Sequence, residues 1–262
     1  MRRKSLGVVV LVALSLAACG GGETSELDPD EAVIQITSEG GFVPVEFALG
    51  NGPRYTVLGD GRLIFQGVQT LQYPGPLVPP YLVAQLDDSQ LNALLAMVDD
   101  MGLPEIDEES DDSAQNVVAD ASTETIRFWD ENGEHKYAVY ALGIQEESTE
   151  RNDAFLELIE TLDRFTAEAP AEPFEPDEVR VVAGVGFIDP EFADVRDWPL
   201  ESEIFTDWTE LPNGWFCRTY ESDVLTSFEE ATQATTWTHP DGTSEPLTLL
   251  VRPLIPGETA CG

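Results

Sequence analysis

The chain has 262 residues, with 50 Asp+Glu against 13 Lys+Arg, a formal net charge of −37 and 42% hydrophobic residues. That length supports one or two domains with a real core. The charge excludes a nucleic-acid binder, because phosphate contacts need Lys and Arg to displace counterions, and it excludes a polybasic membrane-surface protein on the same ground.

Residues 1–18 read as a signal peptide. Arg2, Arg3 and Lys4 form a positive start, and Leu6 to Ala18 is an apolar run of 13 residues. A permanent span needs roughly 20 apolar residues, so the run is too short to be one. It ends in Leu16-Ala17-Ala18-Cys19, followed by Gly20-Gly21-Gly22. This resembles a bacterial lipobox. The resemblance implies that the Cys19 thiol receives a diacylglycerol and that cleavage occurs just before it. Each buried acyl CH₂ contributes about 0.8 kcal/mol, so two or three chains hold a protein to a bilayer without a spanning helix. The remainder is then expected on the extracytoplasmic side of the cell membrane, or at an outer membrane if the source has one. Gly20, where an inner-membrane retention signal would place Asp, leaves the leaflet open. Processing leaves ten basic residues facing the same 50 acids.

Residues 19–30 are Gly-rich, acidic and without apolar period, which predicts a flexible tether. A second break, residues 167–177, holds three prolines among glutamates and predicts an extended linker. The expected domains are therefore 31–166 and 178–262.

In the first, Ala32 to Ser38 predicts a strand. Arg54-Tyr55-Thr56-Val57-Leu58 and Arg62-Leu63-Ile64-Phe65 flank Gly59-Asp60-Gly61, a hairpin signal. Tyr73 to Tyr81, rich in proline, predicts a rigid crossing with its aromatics packed down, with a polyproline II recognition strip as the alternative. Asp87 with Gln90 forms a capping box, and Leu91, Leu94, Leu95, Val98 and Met101 follow at helical spacing up to Gly102. A second round has Thr125–Trp129 and Lys136–Tyr140 around Asn132-Gly133, then Phe155, Leu158, Ile159, Leu162 and Phe165. Two hairpin-plus-helix units predict an α+β fold, an antiparallel sheet with helices on one face. The order Gly41-Phe42-Val43-Pro44, Gly59-Asp60-Gly61, Phe65-Gln66-Gly67, Leu86 to Leu91 and Asp120-Ala121-Ser122-Thr123 resembles a bacterial extracytoplasmic domain family of unknown function over about 33–166. Val43 stands where that family often carries cysteine. The resemblance implies a fold and no activity.

The second domain predicts strands at Val179–Ala183 and Trp215–Tyr220, and a helix from an Asp223 cap to about Ala234. A hairpin of Thr235–Thr238 and Leu247–Val251 follows around Asp241-Gly242. This too is small α+β. With Cys19 lipidated, Cys217 and Cys261 remain, and an even pair in an exported chain reads as a disulfide closing about 44 residues. Two free thiols, the alternative, are disfavoured by an oxidising compartment.

No catalytic residue set emerges. His135 and His239 both flank turns and read as exposed, so a zinc site or Cys-His dyad is poorly supplied. No nucleophile elbow, zincin, P-loop or dinucleotide fingerprint occurs, so no cofactor is expected. The run Asp107-Glu108-Glu109-Ser110-Asp111-Asp112 invites calcium, yet an EF-hand register puts Asp112 where Gly is required and Val118 where Glu belongs. A mobile acidic loop without metal is the expectation. Asp189, Glu191, Asp194 and Asp197 read as a spread-out loop group, and Trp198, Trp208 and Trp215 as core or loop anchors.

The expectation is a lipid-anchored, non-enzymatic binding or protein-interaction module of the bacterial cell envelope. Its partners would be the membrane, through the lipid, and an envelope protein or polysaccharide. The alternative is an envelope hydrolase or carbohydrate-active enzyme using paired carboxylates. After processing Lys136 is the only lysine. Screening relieves the self-repulsion of such an acid-rich chain. Its melting temperature is therefore expected to rise between about 0.05 and about 2 M NaCl. A flat profile in differential scanning calorimetry would refute that.

Overall fold

The computed structural model describes residues 27–69, 73–145, 148–186, 190–200, 206–239, 242 and 245–261. The signal peptide, Cys19, most of the tether, Asp189 and Asp241 lie outside the described residues. Seventeen segments follow in order: β1 (Ala32–Gly40), α1 (Val45–Gly50), β2 (Tyr55–Leu58), β3 (Arg62–Gln66), β4 (Tyr81–Gln85), α2 (Asp88–Asp100), β5 (Glu108–Asp111), β6 (Ser122–Asp130), β7 (Gly133–Tyr140), α3 (Glu150–Glu168), β8 (Ala171–Pro173), β9 (Glu178–Val185), β10 (Asp194–Arg196), β11 (Thr209–Glu210), β12 (Phe216–Glu221), β13 (Thr235–Trp237) and β14 (Leu247–Pro253). They form a mixed α+β fold with an eight-stranded sheet, β5-β7-β6-β1-β2-β3-β4-β8, and a six-stranded sheet, β10-β13-β14-β9-β12-β11.

The first sheet grows from its hairpins. Gly61, at φ +84°, lets the chain reverse between β2 and β3, and its N–H donates to the Leu58 carbonyl at 2.9 Å. The Asp87–Gln90 capping box forms, with both reciprocal bonds at 2.9 Å. Thr149 caps α3 by accepting from the Asn152 N–H. Both helices lie on one face, where Leu94, Val98, Phe155, Leu158 and Leu162 bury against Ile34, Ile36, Val57, Leu63, Ile126 and Val139. Asn152 is fully buried there, and its polar atoms are satisfied by Tyr137, Asp111 and Gln145.

Several expectations change. Glu108–Asp111 is not a mobile loop but a parallel edge strand on β7. Lys136 and Arg151 neutralise Glu108 and Glu109, each at 2.7 Å, and Asn152 binds Asp111, which holds the acidic strand in place. His135 is buried rather than exposed, because β7 turns it inward between the Asp130 carboxylate (3.0 Å) and the Ile106 carbonyl (2.6 Å). His239 is half-buried at its turn. The helix expected from Asp223 is a short 3₁₀ stretch, Ser222–Phe228, without a side-chain cap. It stops because Glu230 adopts a left-handed conformation and residues 231–233 turn aside to bond Leu77 and Gly75.

That last contact shows how the two sheets exchange parts. Leu77, from the Pro-rich crossing, is buried among Val179, Trp237 and Leu249 of the second core. Ile255, from beyond β14, is buried against Leu58, Ile64 and Tyr81 on the reverse face of the first sheet. Of the crossing's aromatics Tyr81 packs down, while Tyr73 stays exposed and meets Phe192 edge-on. Within residues 167–177, Ala171–Pro173 is extended and also paired to β4 as an edge strand. The tether's last residues are held too: Arg62 binds Asp30 and the Pro29 carbonyl, and Leu27 packs on the core.

Asp130, and then the Ile106 carbonyl, raise the His135 pKa above its ordinary value. A raised histidine contributes stability that is complete below about 6.5, its unfolded value, and is lost as pH rises through the folded value. Unfolding free energy is therefore expected to fall over that window in urea titrations. His135→Gln is expected to flatten the slope, and an unchanged slope in the variant would refute the assignment.

Candidate functional site

The alternation of β1 sends Gln35, Thr37 and Glu39 to the face opposite the helices, and β6 places Arg127 directly across from Gln35. On the second sheet, β9 and β14 bury Val179, Val181, Leu249 and Val251 on one face and turn Arg180 and Arg252 to the other. Arg180 and Arg252 are direct cross-strand partners. Like charges in that position destabilise a sheet, so the pair needs compensation. The reverse faces of the two sheets meet around these residues and enclose a cleft of about 310 Å³, with α1 on one side and the segment after β14 on the other.

The charges in the cleft are unequally matched. Arg252 is buried and forms a bidentate pair with Glu258 at 2.7 and 2.8 Å, and the Ile255 N–H also donates to that carboxylate. Arg127 lies 3.3 Å from Glu134. Among the described residues Arg180 pairs with no carboxylate, and its Nε donates to the Cys217 Sγ at 3.4 Å. Burial first, and then the neighbouring Arg252, hold its pKa below the ordinary value, although a guanidinium stays charged at neutral pH. Several buried polar atoms around it have no hydrogen-bond partner, among them Thr37 Oγ1, Gln35 Oε1 and Arg252 Nε. Buried polar groups are nearly always paired, so such a concentration marks a place where a ligand or water belongs.

The mouth is apolar. α1 has no buried residue, and Val43 and Phe47 border the cleft. Its end is held by Asn51, which donates to the Ser38 carbonyl and accepts from Gln66. Phe42, Val43, Val45 and Phe47 are four of the ten large hydrophobics exposed among the described residues, and their adjacency makes a patch of them.

The opposite wall is fixed by the Cys217–Cys261 disulfide, whose Cα atoms are 5.6 Å apart. The segment between β14 and Cys261 crosses the first sheet so closely that a Cβ at Gly257 would lie 2.8 Å from Ala32 Cβ. Gln35 Nε2 donates to the Pro256 carbonyl at 3.0 Å. The cysteine pair expected from the sequence thus anchors the segment that carries Glu258.

The other sequence candidates do not assemble. Asp194 is bound by Arg196 and Thr235, which together lower its pKa, while Glu191 and Asp197 are exposed. Trp208 and Trp215 are core residues, Trp215 lying where a Cβ on Gly184 would be 2.3 Å away. Among the described residues no group of three or more His, Cys, Asp or Glu is placed to hold a metal ion. A wider cavity of about 1050 Å³ is bordered by Glu109, Asp111, Asp112 and Arg151, residues tied up in the β5 edge. The arginine cleft was missed by sequence reasoning. Its available signal was a lone arginine between apolar neighbours in each of three strands, Ile126-Arg127-Phe128, Val179-Arg180-Val181 and Val251-Arg252-Pro253.

The charge accounting predicts opposite outcomes for neighbouring arginines. Arg252→Ala is expected to cost about 3–5 kcal/mol, because it strands the buried Glu258 charge. Arg180→Gln is expected to stay within about 1 kcal/mol of wild type or to stabilise, since it removes a like-charge contact. Equal losses in urea denaturation would refute the distinction.

A scan against protein-family models found no matching family, and searches of curated proteins and of solved structures found no match either.

Proposed function

We propose that the chain is a lipid-anchored, extracytoplasmic and non-enzymatic binding protein of the bacterial cell envelope, taking an anionic ligand in the arginine-lined cleft. The observation that carries the binding reading is Arg180, a half-buried guanidinium without a carboxylate partner among the described residues, in a chain of net charge −37. In a chain so short of cations, a guanidinium set beside Arg252 with a disulfide sulfur as its hydrogen-bond acceptor contributes little to stability, which supports a role in binding. The anchor reading rests on the lipobox ending at Cys19 and the charged, apolar segment before it. No helix among the described residues is long and apolar enough to cross a membrane. In this reading the two sheets are two small modules on either side of residues 167–177, locked by the exchanged Leu77 and Ile255.

The enzyme alternative finds less support. A carboxylate acting as general acid needs its pKa raised. Among the described residues the carboxylates with displaced values, Glu108, Asp111, Asp130 and Asp194, are all displaced downward.

The anchor is tested by growing a bacterial host expressing the full chain with an alkyne-labelled palmitate. Label is expected on the wild type and absent from Cys19→Ser. A wild type without label would refute the anchor. Binding is tested by equilibrium dialysis of the same protein in nanodiscs against labelled acetate, where uptake by wild type and none by Arg180→Gln is expected.

A further inference from the structure

We infer that the cleft is built for a monocarboxylate bearing an apolar tail, its head against Arg180 and Thr37 and its tail along Val43 and Phe47. The inference rests on the binding reading above and adds the ligand's chemical class.

The charge of the head follows from the arginines. Arg252 is already matched by Glu258 and Arg127 by Glu134. One positive charge, that of Arg180, is left over. A dianion such as phosphate would need a second free cation, and the remaining acid on the wall, Glu39, is exposed and repels it. A single carboxylate matches the one guanidinium left without an ion pair and meets less of that repulsion than a dianion does. The planar fork of a guanidinium suits a carboxylate, because two parallel N–H···O bonds form at once. Thr37 supplies the neighbouring contact: its hydroxyl is buried in the cleft wall, its residue 9% exposed, and has no partner of its own.

The tail follows from the mouth. Phe47 is 59% exposed and borders the same cleft as the arginines, as does Val43, just ahead of α1. An anion without an apolar part leaves both in water. A volume of about 310 Å³ lies at the lower end of the ~300–1,000 Å³ common for small-molecule sites. It accommodates a head and a short chain, with the rest running out over Phe47.

A membrane surface is the competing occupant for exposed apolar residues next to arginines. Position argues against it. The chain enters the fold where Leu27 and Asp28 pack on Gly59, beside the start of β1, whereas Phe42–Phe47 follow its end. The nine residues of β1 separate the two by about 30 Å. A tether joined at the near end holds that end closest to the bilayer on average, and the fold must turn over on it to bring Phe42–Phe47 down.

The test uses the full chain in phosphatidylcholine nanodiscs, dialysed to equilibrium against labelled octanoate or acetate, with empty nanodiscs as reference. Covering two methylenes gains about tenfold in affinity, so octanoate is expected to bind at least that much tighter than acetate. Phe47→Ser is expected to lower octanoate affinity about tenfold and leave acetate unchanged. Arg180→Gln is expected to abolish binding of both. N-acetyl-leucine, the same carboxylate on a branched apolar group, separates the sources: tighter binding than octanoate assigns a peptide C-terminus, weaker binding a free fatty acid. Equal affinity for acetate and octanoate overturns the tail and leaves the anionic binding site standing. Absence of binding by either overturns both readings. Equal uptake of octylamine overturns the charge assignment. Recruitment of phosphatidylglycerol vesicles by Arg180→Gln as strongly as by wild type assigns the patch to membranes and overturns the inference.

Discussion

The structure depends on burying β1 from both sides. Ala32 to Thr37 are all buried, and α2 and α3 cover only the face that carries Ile34 and Ile36. The other face holds Ala32, Gln35 and Thr37 and needs a second cover. That cover is the chain beyond β14, where Ile255 fills the space between Leu58, Ile64 and Tyr81. Gln35, which cannot be buried bare, donates to Thr56 and to the Pro256 carbonyl. Because the covering segment belongs to the second sheet, the two sheets must dock here. The cleft is the part of that contact left unfilled.

The scarcity of cations gives the docking its electrostatic character. Lys136 and Arg151 restrain the acidic edge strand, and Arg196 bonds Asp194 and two backbone carbonyls. Exposed pairs of this kind contribute little to stability individually. The Arg252–Glu258 pair is different, because Arg252 is buried, Glu258 is nearly so, and each depends on the other to offset desolvation. It ties β14 to the covering segment across a tight turn. The disulfide holds the same segment from its far end, so Glu258 is fixed between a strand and a covalent link. Arg180 sits between these two restraints, touching the disulfide through Cys217 Sγ but outside the ion pair.

Much of the local structure was legible in the sequence. The turns at Gly61 and Gly133, the Asp87–Gln90 box and the apolar periods of α2 and α3 act over four or five residues, and the structure follows them. What failed depended on distant partners. Glu108–Asp111 has no strand propensity worth the name, yet pairs with β7 because Lys136, Arg151 and Asn152 lie alongside. Val224, Leu225, Phe228 and Ala231 have a helical spacing, but residues 231–233 are claimed by Leu77 and Gly75 before a helix can continue. His135 carries no local mark of burial; Phe128 stacks on it only once β6 and β7 pair.

The sequence by itself determined the class of fold, the main hairpins and helices, the charge of the surface and the pairing of Cys217 with Cys261. Each of these follows from local periodicity, composition or elimination. Tertiary structure alone decided the candidate site. Arg127, Arg180 and Arg252 are separated by more than 50 residues between the first two and more than 70 between the last two. Nothing local relates them, since each is a single arginine between two apolar neighbours. They converge because the first sheet has a face its helices do not cover, and the segment that covers it brings the second sheet's arginines along.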